Sequence, residues 1–163
     1  MKASSRVYEY IKTHEGLSLI AYNNKKIDNV WTIGYGHTKG VLPGQKITLA
    51  KAEEYLKSDL GSFERFVNRE FKNLNQNQFD ALCMFYYNLG TSISKTSTLA
   101  KLVKKNPKDP AIKQAFMLYT KSKGKVIPGL VKRRNFERNL YFQGIKPTVE
   151  EPVKGALLKN SFC

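Results

Sequence analysis

The sequence predicts an α+β fold: a small N-terminal lobe of one helix plus an antiparallel hairpin or three-stranded sheet, joined by a long helix to an all-helical C-terminal lobe. Three observations carry this. The runs "LSLIAY" and "VWTIGYG" are β-branched and aromatic and are separated by the turn-tolerant "NNKKIDN". At Thr48 the period switches, and Leu49, Ala52, Leu56, Leu60, Phe63 and Val67 recur three and four apart as far as Phe71. Beyond Phe71, each stretch between turn signals reads as a helix.

Taken in order, Ser4 or Ser5 caps a first helix whose Val7, Tyr8 and Ile11 share a face, and Gly16 ends it. The hairpin follows, with "VLPGQKI" as a candidate third strand. The long helix is expected to bend at Gly61. Further helices are expected over Gln76–Leu89, closed by Gly90, over Thr98–Lys105 behind Ser97, over 111–121 behind Asp109-Pro110, and over 129–142 behind Pro128. The expected organisation is a single domain over 1–144. Its N-terminal lobe covers about 12–47 and the connecting helix about 48–71. The helical lobe covers about 72–144, with the helix at 4–14 packed on it, and a tail follows at 145–163.

Composition narrows the function. With 163 residues, 41% of them apolar and 12% aromatic, the chain has enough apolar surface for a core, which excludes disorder for most of it. Lys plus Arg number 28 against 13 Asp plus Glu, a net +15 that points to a polyanionic partner. Twelve of those cations and two acidic residues fall between Lys101 and Arg138, so the basic face is placed on the helical lobe. Cys83 and Cys163 build no disulfide framework and have no zinc spacing with His14 or His37, so no metal site is expected. Cys83 reads as core. No window approaches the roughly 20 apolar residues of a membrane span, and no signal peptide is read at the N-terminus.

Glu15 is the first candidate for chemistry. A carboxyl at a helix C-terminus faces the negative end of the macrodipole, and desolvation adds to that, so Glu15 is expected to hold a proton suited to a leaving-group oxygen. Its neighbours "HEGLSLIAYNN" and "VWTIGYGHT" resemble the phage-type muramidases of glycoside hydrolase family 24, the bacteriophage lysozymes. That family opens with Glu, eight residues, Asp or Cys, five residues, Thr, then Ile-Gly-x-Gly-His, and Glu15, Thr32, Ile33, Gly34, Gly36 and His37 match it. "LNQNQFDALCMFYYNLG", "STLAKLV" and "GLVKRRNFERNLY" extend the resemblance over about residues 4–142.

The resemblance implies a lysozyme-like fold that hydrolyses the β-1,4 bond between N-acetylmuramic acid and N-acetylglucosamine in peptidoglycan, with no cofactor. It gives Glu15 the general-acid role and Thr32 a hydroxyl that holds the attacking water. Tyr87, Thr98, Gly129 and His37 are the candidate substrate-contact positions. His37 is read mainly as a structural tie between lobes, while Asp80 and Arg134 read as packing or ion-pair residues. The implied partners are peptidoglycan and, through the basic helical lobe, the anionic cell envelope. A basic nucleic-acid-binding protein is the less favoured alternative, since no specific nucleic-acid reader is found, and a monomer is expected. Synthesis in the host cytoplasm, with release through a permeabilised membrane, completes the expectation.

One departure matters. Asn24 stands where the family has Asp or Cys, and seven residues, not five, separate it from Thr32. An amide orients water but takes no proton at neutral pH. Three readings stay open: Asp28 on the lengthened turn supplies the carboxylate, Glu15 with Thr32 and Asn24 gives weak catalysis, or the chain binds peptidoglycan without cutting it.

Overall fold

Helix α1, Ser5–Glu15, buries Val7, Tyr10 and Ile11 and stops at Gly16, whose φ of 70° is open to glycine without strain. The computed structural model describes residues 1–25 and 29–146, so Asp28, Cys163 and all but two residues of the expected tail lie outside the described residues. Ser4 occupies the cap position of α1, but its hydroxyl does not cap the helix. It donates to Asp80 Oδ2 at 2.5 Å, and the Ser4 amide donates to Asp80 Oδ1 at 3.1 Å. Asp80 thus ties α1 to the helical lobe.

Strands β1, Ser18–Asn24, and β2, Val30–Gly34, form the antiparallel hairpin, paired Tyr22 to Thr32, Asn23 to Trp31 and Asn24 to Val30. A register shift between Ser18 and Tyr22 bulges β1 and turns Leu19 and Ile20 to solvent. The third strand does not form. Pro43 and Gly44 turn the chain, and 45–47 touches β1 only through an Ile20–Lys46 bridge flanked by two backbone hydrogen bonds. Tyr35, just past β2, enters the core, while Trp31 is half-buried.

Helix α2, Leu49–Glu70, is capped by the Thr48 hydroxyl, which accepts from the Lys51 amide, and it runs unbroken through Gly61. Ala52, Leu56, Leu60 and Val67 bury as the period predicts; Leu49, on the same stripe, stays exposed. Helix α3, Gln76–Leu89, opens with a reciprocal Asn75–Gln78 capping box and buries every residue from Gln78 to Tyr86. A helix covered on all sides lies at the centre of a bundle, and α1, α2 and α6 all pack on α3. Cys83 is buried there.

The remaining lobe departs from expectation in two places. Helix α4, Thr98–Lys105, is capped by Ser97 as predicted, and a 3-10 turn at Ser92–Lys95 precedes it. Helix α5, however, covers only Ile112–Phe116, and strands β3, Lys121–Ser122, and β4, Lys125–Val126, form a short hairpin before α6, Pro128–Phe142. The "KSKGKV" segment adopts positive φ at Lys123 and Gly124, which a helix cannot accommodate. Its alternation is too short to be read as a strand pattern.

Candidate active site

Glu15 ends α1, and its side chain is 24% exposed, neither free in solvent nor sealed off. Two neighbours hold it. Gly36 lies behind it: a methyl group at position 36 would sit 3.4 Å from Glu15 Oε2, on a backbone whose φ is 85°. The turn that carries Gly36 is closed by paired Ile33 and His37 amide–carbonyl bonds, each 2.9 Å. The Gly-x-Gly motif therefore lets backbone approach the carboxyl. Gly36→Ala is expected to cost about 1–2 kcal/mol from the left-handed backbone alone, and to lower activity beyond what the lost stability explains. Thermal unfolding measured beside the rate of wall hydrolysis checks this, and an unchanged rate would show that the close approach is dispensable.

The second neighbour is Arg133 on α6, whose Nη1 donates to Glu15 Oε1 at 3.0 Å. This guanidinium is absent from the sequence-derived set. It sets a fixed positive charge against the acid, opposite in sign to the field of the helix end. Arg133 is itself buried, and its Nε lies 3.4 Å from Glu137 Oε1, an ion pair too poorly aligned to be a hydrogen bond. Arg134, wholly buried, donates to Glu137 Oε2 at 2.5 Å, to the Tyr119 carbonyl at 3.0 Å and to Asn88 Oδ1. Burial pushes the Glu137 carboxyl up from the usual range, and Arg134, then Arg133, pull it back. Tyr10 stacks on His14 at 3.9 Å, and burial beside Glu137 raises its phenol to about 12. The signal for this network is visible in "KRRNFER": Arg133 with Glu137 and Arg134 with Glu137 are spaced four and three apart, on one helix face.

Asn24 and Thr32 both project from the hairpin. Because Asn24 pairs with Val30 and Tyr22 with Thr32, period-two alternation puts Asn24 and Thr32 on one face, as diagonal neighbours. Thr32 is 2% exposed, and its hydroxyl donates to the Val30 carbonyl at 3.2 Å. Its oxygen still has lone pairs for a water proton.

His37 is buried, its Nδ1 lies 2.8 Å from Asp59 Oδ2 on α2, and its ring stacks on Tyr55 at 4.0 Å. It joins the hairpin to the long helix. Tyr87 on α3 donates to the Tyr35 carbonyl at 2.8 Å, and burial drives its phenol far upward. With Val30, Gly36, Asp59 and Phe63 it lines a pocket of 480 Å³ beside the Gly-x-Gly turn. Glu15, Asn24 and Thr32 do not line that pocket, and neither do Thr98 and Gly129, which are exposed at the starts of α4 and α6. A larger depression of 890 Å³ is lined by Arg6, Lys113, Phe136 and Arg138. It holds no carboxylate and so no acid. Among the described residues, no group of three or more His, Cys, Asp or Glu could hold a metal ion.

A helix-end glutamate set against a Gly-x-Gly hairpin, with a helical bundle beyond, defines the lysozyme-like class of fold. The chain belongs to the phage lysozyme family, whose profile matches residues 12–137. It is 40% identical over 146 residues to an endolysin of Bacillus phage B103, covering 88% of this chain and 55% of that protein. It is 38% identical to an endolysin of Acyrthosiphon pisum secondary endosymbiont phage 1, covering 86% of this chain and 98% of that one. Among solved structures, the muramidase domain of SpmX from Asticaccaulis excentricus superposes with a TM-score of 0.77 at 32% identity, over 90% of this chain and 99% of that one.

Proposed function

We propose that the chain is a muramidase that cleaves the β-1,4 bond between N-acetylmuramic acid and N-acetylglucosamine in bacterial peptidoglycan, with Glu15 as general acid. The observation that carries this is the seating of Glu15 at a helix end, mostly buried, against Gly36 and in the grip of Arg133. Glu15 hands its proton to the bridging oxygen as the bond to the anomeric carbon breaks, and charge builds on the sugar ring. Water then adds at the anomeric carbon, steered by Thr32 and Asn24 from one hairpin face, and its surplus proton leaves to solvent, from which Glu15 is reprotonated for the next turnover. Arg133 stabilises the carboxylate that appears on Glu15 in the same step, an interaction stronger in the transition state than before it. His37 serves as a tie through Asp59, and Tyr87 shapes the pocket; Thr98 and Gly129 are left as outlying contacts.

Asn24 favours a second reading, a wall binder that cuts weakly or not at all, because no carboxylate stands at that position. Release of products from purified peptidoglycan, with their new ends identified by mass, separates the two. Asn24→Asp is expected to raise kcat about tenfold or more by supplying a general base. Asp28→Ala leaves the rate unchanged if Asn24 holds the water site and lowers it if Asp28 supplies the carboxylate.

The anionic envelope is the second proposed partner. Of the twelve cations between Lys101 and Arg138, Arg133 and Arg134 are buried and spent on the core, while all nine lysines are exposed. Those nine form the envelope-facing surface, aided by the basic depression around Arg6 and Lys113. The proposal includes a monomer with no specific nucleic-acid target, and action on the wall after release from the cytoplasm. No described helix is long and apolar enough to cross a membrane.

A further inference from the structure

We infer that Glu137 is a positioning residue for the reaction: a buried counter-charge that restrains Arg133 so that Glu15 keeps its proton until a sugar bridge takes it. This rests on Glu15 being the general acid, and deepens that reading. The supporting geometry is a continuous run of charge. Glu15 meets Arg133 at 3.0 Å, Arg133 meets Glu137 at 3.4 Å, and Glu137 meets Arg134 at 2.5 Å. Glu137 and Arg134 are fully buried, so neither side chain is placed there to meet solvent.

The groups facing this run are few. Tyr10, His14 and Glu15 come from α1, Tyr87 and Asn88 from α3, and Arg133, Arg134 and Glu137 from α6; Asp59 on α2 acts more remotely, on Tyr87. His14 Nδ1 is bonded to the Tyr10 carbonyl at 2.8 Å. With Glu137 ionised, two guanidiniums face one carboxylate. The set is one positive charge out of balance while Glu15 is protonated, and neutral once the proton has gone. That imbalance draws the proton off in the chemical step. If Glu137 were neutral, the positive excess facing Glu15 would double. Arg133 retains Nε and Nη2 without hydrogen-bond partners among the described residues. Its hold on Glu15 is therefore electrostatic as much as geometric, and sensitive to the charge on Glu137.

The test is the pH dependence of kcat on purified peptidoglycan for the full chain and for Glu137→Gln, Glu137→Asp and Arg133→Gln. Glu137→Gln is expected to move the basic limb of the profile about one pH unit toward acid, as removal of a neighbouring like charge does. Activity lost at alkaline pH returns on acidification, with KM unchanged. Arg133→Gln moves the same limb the opposite way. If Glu137→Gln does not fold, Glu137→Asp, which keeps the charge but withdraws it by one methylene, must move the limb acidward by a smaller amount. A limb that stays put in the folded Glu137 variant, or a rate lost equally at every pH, overturns the inference. Glu15→Gln separates this from failure of the underlying reading: if that variant still cuts, the acid assignment falls; if it is dead and the limb does not move, only the role of Glu137 falls.

Discussion

Glu15→Gln is expected to reduce hydrolysis of peptidoglycan by about 10²–10⁴-fold, the range that a positioned general acid contributes. The substitution is nearly isosteric. Its amide oxygen still accepts from Arg133 Nη1, and its side chain fits against Gly36, so the hairpin and α6 remain docked. What it cannot do is give a proton to the bridging oxygen. The loss therefore falls on kcat, while sedimentation of the protein with insoluble wall is retained. Turbidity loss of a muramidase-sensitive cell suspension measures the first, and a wall pull-down the second. Full lytic activity in Glu15→Gln would remove Glu15 from the chemistry. Loss of wall binding along with activity would instead mean that the substitution disturbs the packing of the Gly36 turn and α6 around position 15.

Much of this architecture is legible in the chain because local signals agree with global ones. The period of α2, the Asn75 and Ser97 caps, and Gly16 and Gly90 each fix an element without reference to anything distant. The hairpin is equally local, but its register is not: β2 buries Thr32, Ile33 and Gly34 without alternation, and β1 carries a register shift between Ser18 and Tyr22. What sequence does not carry is partnership across long separations. Glu15 and Arg133 are 118 positions apart, and His37 and Asp59 are 22 apart. Nothing in the periodicity of either segment says that these side chains meet. The basic stretch shows the same limit: the three- and four-residue spacings in "KRRNFER" suggest Arg–Glu pairing but not burial, and α6 buries Arg133, Arg134 and Glu137 as opposed charges. The third strand and the long α5 fail for the opposite reason. Short patterns suggested regular elements there; the turn at Pro43-Gly44 prevailed in the first, and in the second the chain leaves the helix at Met117 and Lys121–Ser122 pairs into a short hairpin.

Arg134→Met is expected to give the largest loss of stability among single substitutions at this site. The guanidinium lies fully buried, 5.0 Å from the Phe85 ring, and serves Glu137, Asn88 and the Tyr119 carbonyl together. Its removal leaves a buried carboxylate with only the misaligned Arg133 contact, and breaking one side of such a pair costs about 3–5 kcal/mol. For a chain of this size that lowers Tm by on the order of 10 °C, readable by circular dichroism. The pH dependence has a definite sign. Burial holds the Glu137 carboxyl above its unfolded range, so its charged form costs stability as the pH rises through the folded-state titration. Without Arg134 that cost grows, and the deficit of the variant is widest at neutral pH and narrows on acidification. Pairing it with Glu137→Leu removes both charges and should recover most of the Tm, because the penalty arises from an orphaned charge, not from a lost attraction. If Arg134→Met unfolds within about 2 °C of the parent, a shift worth no more than about 1 kcal/mol, the α6 pair is not what holds this helix to α3. If the double variant is no better than the single one, packing of the arginine stem against Phe85 carries the stability instead of charge balance.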